Sequence, residues 1–225
     1  HLEEPWATVE DAEGQQRLTD VTVGQEQFSV GRWQGGEFLV GMVDDDQKLP
    51  LNTAEGSHLQ RLIGLVQPGG VDAAAVAAAI IDWREDGTAA GSPCDGRIPA
   101  CHNDVFESVD ELRLVPGMTA ELFEALKPHV TVYGSGLVNI NTASEEVLGA
   151  LGCAALVQQR QGQPDGHYPP IPSELPPGCE LHYLTITSTV FTVPIQVSAA
   201  SAGSPSMRLD AVVDRTGTIL AWRPQ

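Results

Sequence analysis

The chain is poor in positive charge, has no long apolar run and carries no recognisable catalytic motif. Only 12 lysines and arginines stand against 30 aspartates and glutamates, a formal net charge of -18 over 225 residues. A surface of that sign repels phosphate backbones, so nucleic acid is not an expected partner. It leaves room for protein partners and for calcium held by carboxylates. No stretch approaches the roughly 18 consecutive apolar residues that cross a bilayer. His1-Leu2-Glu3-Glu4 is polar and acidic, unlike the start of a signal peptide. The expectation is a soluble chain trimmed from a longer precursor.

Catalysis is not expected either. Six histidines are scattered as His1, His58, His102, His129, His167 and His182, none in a nucleophile-elbow, zinc-helix or thiol-protease motif. Ser57-His58 reads as a helix surface pair. Glu145-Glu146 reads as an acidic pair at a helix N-terminus, where the dipole favours it, and not as a glycosidase dyad. Gly134-Ser135-Gly136 is a turn, since no phosphate-binding lysine follows it.

What is present starts with an even set of cysteines, Cys94, Cys101, Cys153 and Cys179. In an acidic chain with few lysines they suggest two disulfides and an oxidising compartment. Three pairings are open. Sequential pairing would close two irregular loops. Zinc is disfavoured because Cys94, Cys101 and His102 lack tight Cys-x2-Cys spacing.

Along the chain the pattern changes twice. Residues 1–24 are acidic and polar, the remnant of something that begins earlier. Phe28 to Trp33 and Phe38 to Val43 alternate around Gln34-Gly35-Gly36-Glu37, a hairpin signal. Asp44-Asp45-Asp46 follows and reads as a solvated turn. From 52 to 161 the signals are helical. Asn52 or Thr53 is a candidate cap for a helix through Leu59, Leu62, Ile63 and Val66. An Ala-rich helix from Val71 to Trp83 and capping boxes at Ser108 to Glu111 and Thr142 to Glu145 follow. Thr119 starts a short helix that Pro128 stops. Residues 162–179 hold six prolines and read as a rigid connection. From Leu181 four β-branched runs follow, with Asp214-Arg215-Thr216-Gly217 as a hairpin turn. The Val193-Pro194 step suits a strand edge or bulge. The fold expected is α+β: a sheet body from 25–51 and 180–225, with a helical domain over 52–161 inserted between them.

The helical part repeats. Leu51-Asn52-Thr53-Ala54 recurs as Ile140-Asn141-Thr142-Ala143, with Leu59 matching Leu148 and Leu62 matching Leu151 in register. Two capped helices do not require so close a match, so two related helical subdomains are expected.

At this point the residues resemble a family. Val138-Asn139-Ile140-Asn141-Thr142-Ala143-Ser144, with Val147, Leu148 and Leu151, is similar to the signature of the type II secretion minor pseudopilins of the K family. Four further segments agree in the family's order. They are Met42 to Asn52, Ile80-Ile81-Asp82-Trp83, Glu111 to Met118, and His129 to Gly134. Glu4-Pro5-Trp6-Ala7 resembles the point just after the family's long N-terminal helix. The resemblance covers roughly 40–215. It implies a pilin-like body whose helical insertion consists of two subdomains of SAM-like or helix-hairpin-helix-like form. It also implies a periplasmic location, anchorage in the bacterial inner membrane through a helix absent here, and a place at the pseudopilus tip. The partners implied are the I and J minor pseudopilins, with the major pseudopilin a further one. Trp6, Phe28 and Trp33 are candidate interface positions, with ordinary core packing as the alternative.

Two expectations depart from that pattern. The family associates calcium with acidic residues after Asp-Trp; here Asp82, Glu85, Asp86, Asp95 and Asp104 surround one irregular loop and are the candidate ligands. The family's Gly-Ala-Glu-Asp-Tyr-type segment is missing, and a disulfide would stabilise the loop instead. The segment Phe106 to Val130 also resembles helix-hairpin-helix domains of competence-type DNA receptors, the alternative reading. There the hairpin usually reads Pro-Gly-Ile-Gly, whereas here it is Pro116-Gly117-Met118-Thr119. Across 53–160 there are 14 acids and 6 bases, a poor balance for binding phosphates.

Overall fold

Along the chain run β1 (Thr19–Val23), β2 (Glu26–Trp33), β3 (Gly36–Gly41), β4 (Val43–Asp44), β5 (Leu49–Pro50), α1 (Gly56–Val66), α2 (Ala73–Arg84), α3 (Ala120–Leu126), β6 (Val130–Thr131), β7 (Val138–Asn139), α4 (Glu145–Ala150), α5 (Ala155–Gln161), β8 (Leu184–Thr185), β9 (Val190–Ala199), β10 (Ser206–Asp214) and β11 (Ile219–Pro224). This computed structural model describes residues 19–23, 26–33, 36–67, 70–85, 104–162, 171–199 and 206–224. Two units divide the chain: one of residues 1–44 with 189–225, and one of residues 45–188.

The first unit is an antiparallel sheet in the order β1-β2-β3-β9-β10-β11, with β4 also on β9. Strands from before and after the helical unit meet where Val40 pairs with Ile195 and Phe38 with Val197. Pro194 explains an interruption. The β3–β9 ladder ends at the Val40–Ile195 pair and β4 resumes it at Val43–Thr192, leaving Pro194 paired only to Asp210 of β10. A residue with no N–H fits there, although its strand is central and not an edge. β1 lies within the stretch expected to be a polar remnant and pairs with β2 from Thr19–Val30 to Val23–Glu26. At the far side, Asp214 accepts from Thr216 and Thr218 amides and closes the expected turn.

The second unit holds the large apolar core. Leu51, Leu59, Leu62, Ile80, Phe106, Leu112, Leu122, Phe123, Ile140 and Leu148 are all almost fully buried in one cluster. It takes in residues 45–51 and 180–188, which the β-branched pattern had grouped with the sheet. The run expected as a strand from Leu181 is a 3-10 turn over Leu181–Tyr183 followed by the two-residue β8.

Helix starts follow side-chain chemistry, with shifts. The Ser108 capping box is present, but it opens a 3-10 segment over Val109–Leu114. Thr119 caps α3 by accepting from the Leu122 amide. The cap of α4 is Ser144, two residues after the expected Thr142. Neither Asn52 nor Thr53 caps α1; Glu55 occupies that position without a side-chain cap. Asn52 instead holds Phe106 at both ends of its peptide, donating to its carbonyl at 3.0 Å and accepting from its amide at 2.8 Å. That fixes the Phe106 ring beside Trp83, 6.4 Å between centroids.

Candidate functional site

The repeated sequence folds into a repeated device. β5 pairs in parallel with β6, and the Leu51 amide extends the ladder to the Thr131 carbonyl at 2.8 Å. β7 pairs in parallel with β8, and the Ile140 amide reaches the Thr185 carbonyl at 2.9 Å. Each strand then turns into its helix through the same pair of backbone bonds. Thr53 and Ala54 donate to the Pro50 carbonyl, and Thr142 and Ala143 to the Asn139 carbonyl. An arginine closes each turn from the following helix. Arg84 at the end of α2 donates to the Leu51 and Ala54 carbonyls, and Arg160 near the end of α5 donates to the Ile140 and Ala143 carbonyls. The arginines were not singled out in the sequence, because their spacing from the two turns differs. The shared feature is a pair of turn carbonyls that one guanidinium reaches, through both terminal nitrogens of Arg84 and through Nη1 of Arg160.

The two halves are joined at several points. Arg61 of α1 donates to the Ala150 carbonyl at the end of α4, at 2.8 Å. Cys153 is bonded to Cys179, a separation of 26 residues. Gly152, at φ 75°, has the Gly178 carbonyl only 2.6 Å from where a Cβ would stand, so a side chain there would push the bonded segment away. Cys94 and Cys101 lie outside the described residues.

The closing segment then runs over α1. The Tyr183 hydroxyl donates to the Glu55 carboxylate. That bond is the main reason the Glu55 carboxyl sits below its usual range and the Tyr183 phenol is pushed up to about 12. His58, expected on the helix surface, is only 5% exposed. The Tyr183 ring meets it edge-on with centroids 4.5 Å apart. Burial pushes the His58 pKa down.

The acidic triplet also departs from expectation. Asp45 and Asp46 are buried, not solvated. Asp45 pairs with Lys48 at 2.8 Å. Asp46 accepts from the Ser135 amide at 2.9 Å and its hydroxyl at 3.1 Å. Gly134, at φ 101°, leaves the space for that carboxylate; a Cβ would stand 2.5 Å from the Asp46 oxygen. The Gly-Ser-Gly turn thus binds an internal carboxylate, which takes the place a phosphate would need.

Among the described residues, the cations near the hairpin at Pro116-Gly117 face an aromatic ring. Arg113 lies over the Phe123 ring at 3.7 Å and bonds Glu124 at 2.8 Å. Lys127 lies 5.7 Å from the same ring. Gly117 and Thr119 line one side of an open, mainly apolar groove of about 350 Å³, with Ala75, Val76 and Ala79 of α2 on the other.

Of the candidate calcium ligands, Asp82 and Glu85 lie at the end of α2, and Asp104 accepts from the Val105 amide at 2.7 Å. Glu85 lies 3.6 Å from Arg84. Asp86 and Asp95 lie outside the described residues. Among the described residues no three histidine, cysteine or carboxylate groups are placed to hold a metal ion. Among the candidate interface positions, Phe28 and Trp33 fall on β2, opposite Gly41 and Gly36 of β3. Trp6 lies outside the described residues. Leu181, Ile219, Leu220 and Trp222 are exposed apolar side chains that periodicity did not separate from core ones. Among the described residues no helix is long and apolar enough to cross a membrane.

Residues 39–135 match the family model of type II secretion system protein K, first domain. No curated protein matches the chain. The fold is similar to that of a chain in the crystal structure of the GspK-GspI-GspJ complex from the enterotoxigenic Escherichia coli Type 2 Secretion System. The identity is 18% and the TM-score 0.70, over 100% of this chain and 86% of that one. At that identity the likeness is one of fold.

Proposed function

We propose that this chain, which matches the family model of type II secretion system protein K over residues 39–135, is a member of that family and a structural, non-catalytic subunit at the tip of a periplasmic pseudopilus. It docks there on the heads of the I and J minor pseudopilins. The observation that carries the reading is the insertion. A helical unit of residues 45–188 interrupts a sheet whose strands come from both sides of it in sequence. The solved complex that shares this fold contains GspK, GspI and GspJ.

The proposed mechanism is assembly. The sheet body docks, and the bulky helical unit obstructs addition of another subunit, including the major pseudopilin, so the protein starts and caps the fibre. The full-length protein is anchored in the inner membrane through a helix outside this chain. The helical unit consists of two SAM-like, helix-hairpin-helix-like subdomains; the matched turns at Leu51–Ala54 and Ile140–Ala143 and their arginines support that division. Trp6, Phe28 and Trp33 are the proposed docking positions. A calcium ion shared by Asp82, Glu85, Asp86, Asp95 and Asp104 is a subsidiary element through which no step runs.

The test is assembly in solution. Mixed with the soluble domains of the I and J pseudopilins, the chain should co-elute with both, and the major pseudopilin domain should not extend the complex. Elution of the chain alone, with retention of low-salt DNA, would favour the DNA-receptor reading.

A further inference from the structure

The closing segment over α1 covers a histidine that the assembly role does not use. His58 is 5% exposed, and its Nδ1 is buried with no hydrogen-bond partner among the described residues. A void of about 10 Å³ adjoins it, between Leu49, Pro50, Val138 and Leu151. That is barely room for one water molecule. A neutral imidazole leaves one acceptor nitrogen unpaired there, a tolerable cost; an imidazolium would place an N–H and a charge against hydrocarbon. The lid over this site is Tyr183.

We propose that His58 is an acid-sensitive latch, whose protonation lifts Tyr183 and releases the segment Cys179–Thr185 from the helical core. The segment is suited to local release. It is held by the Tyr183–Glu55 bond, by the two residues of β8, by the Thr185 carbonyl on the Ile140 amide, and by Leu184, its one aliphatic side chain buried in the core cluster. The Cys153–Cys179 bond keeps it tethered when it opens.

The charges around His58 come from two elements. On α1, Glu55 favours the imidazolium and Arg61 opposes it; on the closing segment, Glu180 favours it and His182 opposes it. Among the described residues, the rest of the cavity lining brings one polar side chain, Thr53, and no charged one; Leu49, Pro50, Val138 and Leu151 are apolar. Burial outweighs the two carboxylates, so the closed state holds its proton more weakly than the open one. Closure is then fully stabilised above an ordinary histidine pKa of about 6.5 and lost as pH falls below it. The inference does not depend on the assembly role.

Amide hydrogen exchange across neutral to mildly acidic pH tests it, corrected for intrinsic exchange. Protection of the Ile140 amide should fall, approaching about tenfold per pH unit below pH 6.5, while the Leu62 amide inside α1 stays protected. In His58→Phe, which fills the cavity without a titrating group, Ile140 protection should be flat over the same range. An unchanged fall in His58→Phe, or none in the unmodified chain, overturns the latch. If that variant does not fold, an NMR titration of the His58 ring in the unmodified chain decides: a pKa well below that of an exposed histidine supports the proposal, and one at or above it refutes it.

Discussion

Arg84→Met removes the guanidinium that closes the first repeated turn while leaving most of the stem volume in place. The side chain is 10% exposed, so solvent cannot take over its role. It donates to the Leu51 carbonyl and, at 2.8 Å, to the Ala54 carbonyl. Hydrogen bonds from a charged donor contribute about 1.5–3 kcal/mol each. Part is returned because a buried guanidinium no longer has to be desolvated, the same burial that lowers the Arg84 pKa. The expected loss is about 2–3 kcal/mol, read by urea unfolding followed through the helical circular dichroism signal. Arg84→Lys should lose roughly half of that, since an ammonium is a point donor that does not match two carbonyls at once. Arg160→Met should act similarly on the second turn, and the double variant should be additive within about 0.5 kcal/mol if the turns are separate devices. A loss below about 0.5 kcal/mol for Arg84→Met, or a lysine variant as stable as the original, would refute the reasoning.

Gly134→Ala should cost about 2 kcal/mol or more, because positive φ and the close Asp46 oxygen both oppose a Cβ. Gly217→Ala, at φ 85° but in open space, should cost only about 1 kcal/mol; equal losses in the two melting curves would remove the role given to Asp46. Cys153→Ala should destabilise by about 3 kcal/mol, from the 26-residue separation that the bond spans; chemical unfolding that is the same with and without reductant would contradict this.

The order of elements was largely legible because it rests on local chemistry: β-branched alternation, helix-capping hydroxyls and Gly-containing turns. The repeat was legible too, since Leu59 and Leu148, and Leu62 and Leu151, are buried at matching positions. What escaped depends on partners distant in sequence. Asn52 looks like a cap until Phe106, 54 residues on, claims its amide. Asp45 and Asp46 look solvated because nothing nearby announces that Thr131, Ser135 and the space at Gly134 will receive them. His58 looks like a surface residue until Tyr183 closes over it. Pro194 reads as an edge or bulge residue because a central strand can tolerate it only where its neighbour breaks, and that break at Met42 is a property of register.

The proposed assembly with the I and J pseudopilins is tested most directly by the mass, from light scattering, of the species formed when this chain is mixed with their soluble domains. A single species with the mass of one copy of each is the predicted result. Three separate species at tens of micromolar, persisting when the three proteins carry their N-terminal helices in detergent, would contradict it.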